Sequence, residues 1–375
     1  MLSKEFLDTI SYPITQLYMA SENRLLAMIV KELKTATNSF DVDTWKVQKL
    51  SNMGGLSQKA IKEISKTSKK AKQLLAETLD KISQKALETN GVDATETVGV
   101  RQAIKAMQAQ ANNHLNIVNT NMIVGTQDSF GELVARLDNE RTMILNDATV
   151  DLVTGQVAYR EAVAQSIKEL GAVGINAYVD KAGRQWTPEA YVSMDLRTTY
   201  ADTARKVVEE QGHDYGLDVI LVSSHAGARP LCEPYQGRCY SMSGRYGTIT
   251  DARGHEYEFE PIDNTSRGEP AGLFGINCGH TFRYIEEGSF VNREKPVETE
   301  EERKENQRQY ALSQEQRAIE REIRTYEREA ELLKEGGLTE FAKISDKMAS
   351  DARAEYKEFC DANGRTPRWE RTNIY

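Results

Sequence analysis

Between residues 57 and 89 the apolar side chains fall at Ile61, Ile64, Ala71, Leu75, Leu79, Ile82 and Ala86, with Ser68 and Thr78 in smaller slots. This three-four alternation predicts one helix with a narrow apolar stripe. At about 1.5 Å per residue it would run roughly 50 Å, longer than a compact domain of a third of this chain needs, so the pattern predicts an elongated bundle. Asn90-Gly91 reads as its left-handed C-terminal cap. Residues 1–90 together read as an N-terminal helical arm.

A second helical tract is expected from about residue 95 to 170, interrupted near Gly125 and Gly131 and again around Gly155. Gly171, Gly174, Gly183, Trp186 and Pro188 then crowd into a turn-dense connector whose "DKAGRQW" suggests a short hairpin. Residues 191–211 return to helix, ended by Gly212. From residue 217 the period becomes strand-like: "LDVILVS", "GTIT", "HEYEFE" and "HTFRYI" are separated by Gly, Asp and Asn turns. Between residues 298 and 335 twelve acidic and eight basic residues surround a seam of Ile319, Ile323, Tyr326, Ala330 and Leu333. Gly336-Gly337 stops that helix, and Leu338, Phe341, Met348, Ala352, Tyr356 and Phe359 outline a returning one, giving an αα-hairpin. The final "NGRTPRWERTNIY" shows no evident element. The expected fold class is α+β, predominantly α-helical, with elongated helical arms around a small Cys/His-containing β module. Four segments follow: 1–90, a helical region with connector at 91–215, the β module at 216–288, and a charged helical hairpin with tail at 289–375.

Composition narrows the class. The 375 residues are 39% hydrophobic and 28% charged, with a mean hydropathy of −0.59. These values argue against wholesale disorder and for long, solvated helices. A net charge of −9 argues against a general nucleic-acid coat and leaves room for a local basic patch. The longest apolar run near the start, residues 25–30, is too short for a membrane span or a secretion signal. The chain is therefore expected to be soluble, made in a cytoplasm and free of membrane partners. Three of the four cysteines lie between residues 232 and 278; in a reducing compartment such clusters are more often metal sites or buried thiols than disulfides.

The sharpest chemistry is His225, Cys232, Cys278 and His280, within "SSHAGARPLCEPYQGRCYS" and "GINCGHTFRY". In an extended segment Cys278 and His280 project to one side, and His225 and Cys232 flank a tight turn, so the four could form a Cys₂His₂ zinc site. The spacing matches no standard finger, and the same residues could simply be buried cysteines and hydrogen-bonded histidines. A Cys–His nucleophile, Cys278 with His225 or His255, is a further reading, without an evident orienting residue. Cys239 is either an alternative ligand or a bystander. Lys59, Lys62, Lys66, Lys69, Lys70 and Lys72 face a single acid, Glu63, within fourteen residues. They form either a solvated helix face or a local contact with nucleic-acid phosphate. Arg197 either binds an acidic partner or makes a structural ion pair. No Walker loop, G-x-S-x-G elbow, HExxH or dinucleotide fingerprint occurs, which weakens the case for an ordinary metabolic enzyme.

Taken in order, "AYVDKAGRQWTPEAYVSMDLRTT", "DVILVSSHAGARPLCEPYQGR", "GLFGINCGHTFRYIEEG" and the "RQYALSQEQRAIEREIRTYEREAE" helix resemble the phage minor capsid protein 2 family. That family is akin in organisation to the phage Mu-type head-morphogenesis minor proteins, and the resemblance covers about residues 170–360. By position, His225, Arg229, Pro230, Cys232, Gly237, Cys278 and His280 carry the family motif. The resemblance implies a non-enzymatic structural component of a tailed-phage virion, made in the host cytoplasm. It implies binding to the portal protein at one capsid vertex and help in head assembly, genome packaging or DNA delivery. Other capsid proteins or further copies of the chain, and packaged double-stranded DNA, are the remaining expected partners. Cys/His-rich elements in the Mu-type proteins favour the zinc reading. The alternative is a metal- or thiol-dependent hydrolase carried in the head, using Cys278, His280 and His225.

Overall fold

The computed structural model describes residues 1–34, 42–89, 97–147 and 152–375. Its helices are α1 (Lys4–Lys34), α2 (Val42–Ser51), α3 (Met53–Thr89), α4 (Val98–Asn146), α5 (Leu152–Val173), α6 (Pro188–Asp214), α7 (Glu300–Glu335) and α8 (Thr339–Ala362). Its strands are β1 (Tyr178–Val179), β2 (Gln185–Trp186), β3 (Val219–Val222), β4 (Cys239–Ser241), β5 (Gly247–Thr250), β6 (Glu256–Pro261) and β7 (Phe282–Tyr284). The chain is α+β and predominantly helical, as its periodicity predicts. The cap expected at Asn90-Gly91 lies outside the described residues.

Two compact units gather separated segments: Met1–Thr15, Ala71–Leu115 and Val192–Gln314 in one, and Gln16–Lys70, Asn116–Tyr191 and Glu315–Tyr375 in the other. The first contains a five-stranded sheet of order β5-β6-β4-β3-β7, antiparallel except for the parallel β4–β6 pair. β3, paired between β4 and β7, is buried along its whole length. Val219, Leu221, Cys239, Ile249, Phe259, Ile285 and Phe290 form an apolar cluster on it. β4 escapes the sequence pattern because "CYS" is too short to show alternation.

In the second unit Ile29, Leu33, Leu56, Phe130, Leu133, Val134 and Leu137 form one cluster, and Ile323, Ala352, Tyr356 and Cys360 another. The fully buried Glu22 carboxylate accepts the Ile175 N–H at 3.0 Å and pairs with Arg328 at 3.4 Å. The "DKAGRQW" hairpin forms, with β1 antiparallel to β2. Asp180 ties its turn by accepting from the Ala182 and Arg184 amides and the Arg184 side chain.

Several expectations are corrected. Helix α4 continues through Gly125 and Gly131, and α6 continues through Gly212. Two of these glycines allow close approach instead of breaking a helix. A Cβ at Gly125 would lie 2.4 Å from the Asn176 carbonyl oxygen, and one at Gly212 would lie 1.9 Å from the Tyr284 ring. The α3 stripe is covered within the chain, since Ile64, Ala71, Leu75, Leu79, Ile82 and Ala86 are all buried; Ile61 alone of the expected set is exposed. The αα-hairpin forms as expected, turning at Gly337 with φ +77°. Its α8 seam, however, uses the small residues Ala342, Ser345, Ala349 and Ala352 beside Tyr356 and Cys360, and Met348 is exposed. The tail is tied down: the Arg368 N–H donates to the Tyr356 hydroxyl, and Thr372 is fully buried.

Candidate functional site

The residues after β3 form the turn carrying "HAGARP". Gly227 sits at φ +68°, where a Cβ would meet the α7 backbone at Gln309 and Tyr310 at 3.2 Å. Asn306 on α7 accepts the Ala228 N–H at 2.9 Å and donates to the Ala228 carbonyl at 2.9 Å. Asn306 also donates to the buried Glu233 carboxylate, which pairs with Arg303 at 3.2 Å. This anchoring sets Cys232 in place.

A second loop, between β6 and β7, carries Cys278 and His280. Phe274 and Asn277 there adopt φ +63° and +58°, conformations that non-glycine residues rarely take without surrounding support. Arg205 on α6 supplies support: its guanidinium donates to the His280 and Phe274 carbonyls at 2.8 and 3.2 Å, lies over the Phe274 ring and pairs with Asp202. Lys4 packs on Gly279, and the Thr281 hydroxyl donates to the Leu2 carbonyl at 3.0 Å.

The two loops bring three predicted ligands together. Cys232 Sγ is 3.9 Å from Cys278 Sγ, which is 3.4 Å from His280 Nδ1. All three donor atoms lie within 4.8 Å of one another, and all three residues are buried. His225 stands beside this group and outside that distance. Its ring stacks on His280 with centroids 4.3 Å apart, and its buried Nε2 has no hydrogen-bond partner among the described residues.

The surroundings favour a thiolate. The Phe274 N–H points at Cys278 Sγ at 3.2 Å, and Arg229 approaches Cys232 Sγ at 3.9 Å. The hydrogen bond from Cys232 holds the Cys278 thiol well below its usual range against the opposing effect of burial, and Arg205 adds to the lowering. Cys232 is pushed up in turn, first by that same bond and then by burial. The pair therefore carries its negative charge on Cys278. Burial, with the adjacent His280 and Lys4, pushes the His225 imidazole down to about 3, so it is a neutral ring with a free lone pair.

The remaining candidates separate. Cys239 belongs to the apolar sheet cluster, and burial pushes its thiol up to about 12, as expected of a bystander. His255 is exposed and lies beside Asp251 at 3.6 Å, so it is not the partner of Cys278. Arg197 bonds Ser193 and lies 3.9 Å from Asp8, a structural arrangement within its own unit. As a nucleophile pair Cys278 and His280 are poorly placed: they are 3% and 1% exposed, and the group bonded to the imidazole is the Gln236 amide. Lys59, Lys62, Lys66, Lys69 and Lys70 are exposed on α3, while Lys72 is half-buried. Lys59 pairs with Glu32 at 3.3 Å, whereas Lys62, Lys66, Lys69 and Lys70 make no ion pair among the described residues.

Sequence reasoning missed Gln236 and Arg205. Gln236 sits inside the quoted "EPYQGR", next to Gly237, whose φ is +70° and whose Cβ would lie 2.5 Å from Pro296 N. The glycine was a visible signal for that turn. Nothing in the spacing marked its neighbour as the partner of His280.

No described helix is long and apolar enough to cross a membrane. The comparisons define the class: a model of the family described as phage minor capsid protein 2 matches residues 2–361. The chain belongs to that family, over nearly its whole length and including the N-terminal region that carried no recognisable motif. It is also similar to a protein described as "Structural protein" from Lactococcus phage LL-H, with 24% identity over 318 residues, 78% of this chain and 81% of the relative. No solved structure matches. The chain is thus a minor capsid protein of a phage head, and its place is the virion.

Proposed function

We propose that this minor capsid protein works at the portal vertex, where it contacts the portal protein and assists head assembly, genome packaging or DNA delivery, without catalysing a reaction. The observation that carries the reading is the family match across residues 2–361. The architecture supports it. Loops in the sheet-containing unit are fixed by buried groups such as Asn306, Glu233 and Arg205, which makes that unit a rigid mount. A row of lysines on α3, Lys62, Lys66, Lys69 and Lys70, without ion pairs among the described residues, offers charge for packaged double-stranded DNA within an otherwise acidic chain.

Cryo-electron microscopy of purified heads, with the chain quantified by mass spectrometry, tests the placement. Density for the chain at one vertex, in far fewer copies than the major coat protein, is the expected result. Distribution over the whole shell, or absence from mature particles, would overturn it.

A further inference from the structure

We propose that Cys232, Cys278 and His280 bind a zinc ion through the two sulfur atoms and the imidazole Nδ1, and that His225 turns its Nε2 inward to complete a tetrahedron. The site is independent of where the protein sits in the head. Donors about 2.0–2.3 Å from a tetrahedral zinc stand about 3.3–3.8 Å from one another, with sulfur–sulfur edges the longest. The Cys232–Cys278 and Cys278–His280 separations of 3.9 and 3.4 Å are already close to the sulfur–sulfur and sulfur–nitrogen edges. Two thiolates and imidazole nitrogen form a donor set that selects zinc over harder cations such as magnesium or calcium.

The surrounding hydrogen bonds set the histidine tautomer. Gln236 is buried, and the amide atom facing the His225 backbone N–H at 3.0 Å must be its oxygen, because that N–H can only donate. The same oxygen lies 3.2 Å from His280 Nε2, so the His280 proton resides there. Nδ1 is left with its lone pair directed at the sulfur atoms, the arrangement of a metal-bound histidine held by an outer partner. The Phe274 amide directed at Cys278 Sγ serves the thiolate in the same way. A fourth donor is at hand: His225 Nε2 is a buried nitrogen with no hydrogen-bond partner among the described residues, next to the ring of a proposed ligand. Buried polar atoms without partners are uncommon, and a coordination bond would satisfy this one. Bound zinc would join the loop after β3 to the loop before β7.

The test uses the full chain, produced with zinc in the medium and purified without chelators. Native mass spectrometry and elemental analysis should find about one zinc per chain. Replacement by Co²⁺ should give the absorption bands of a tetrahedral cobalt-thiolate centre. Cys278→Ser should abolish binding. Gln236→Ala, which leaves every ligand in place, should weaken zinc affinity by roughly 10- to 100-fold. The proposal is overturned if the wild-type chain takes up no metal from equimolar zinc, or if Cys278→Ser retains it unchanged. Recovery of a Cys232–Cys278 disulfide from native particles would overturn it equally. Weakened binding in His225→Ala supports the fourth ligand; unchanged affinity removes His225 from the set.

Discussion

The His114 imidazole on α4 faces the Asp195 carboxylate on α6 at 2.6 Å, and the second Asp195 oxygen is buried without a hydrogen-bond partner among the described residues. The hydrogen bond with Asp195 raises the His114 pKa above 6.5, with burial opposing. A base whose pKa is higher in the folded than in the unfolded chain contributes stability fully below the unfolded value, and loses it as pH rises through the folded one. Stability should therefore decline from about pH 6.5 upward through that window, and His114→Gln should remove this part of the decline. Urea midpoints of both chains across the range check it; parallel profiles would mean that the pair is energetically idle. At this scale the sequence was readable where residue types are rare. Cys232, Cys278 and His280 stood out because the chain has four cysteines and five histidines. Gln236, Asn306 and Arg205 did not, because their roles come from tertiary neighbours and their types are common throughout the chain.

Helices α3 and α4 carry the predictions at the scale of elements. Ala at Gly131 would have only the Met53 methyl nearby, at 3.8 Å, whereas Ala at Gly125 would overlap the Asn176 carbonyl. Gly131→Ala should stabilise by up to about 1 kcal/mol through helix propensity. Gly125→Ala should destabilise by about 1–3 kcal/mol through overpacking. Thermal unfolding should shift in opposite directions, and a shift of the same sign in both would contradict the close-approach role of Gly125. On α3, changing Lys62, Lys66 and Lys69 together to Gln should flatten the log-log salt dependence of duplex DNA binding by about 2.7, at about 0.9 per lost phosphate contact. An unchanged slope would take DNA off the partner list. Helix existence was legible because a stripe such as Leu75, Leu79 and Ile82 is a local pattern. Glycines misled the reading in α4 and α6 because a sequence cannot distinguish a helix-breaking glycine from one required by a neighbouring carbonyl or ring. The short β4 gave too few residues for any period to appear.

For the whole molecule, local patterns could delimit only contiguous stretches, while each compact unit collects three stretches far apart in sequence. The predominance of helix and the presence of a small sheet were legible, because each follows from short-range spacing and turn residues. Which stretches come together depends on burial across long separations, as in the Glu22–Arg328 pair, 306 positions apart. The family match reaches residues 2–361 and so takes in the N-terminal helices as well as the motif-bearing loops. All four cysteines are buried and unpaired. A single cysteine introduced at an exposed position, such as Lys66→Cys, would consequently be the one thiol open to a maleimide reagent, so that a fluorophore or photo-crosslinker could be attached there and the neighbour captured inside an assembled head.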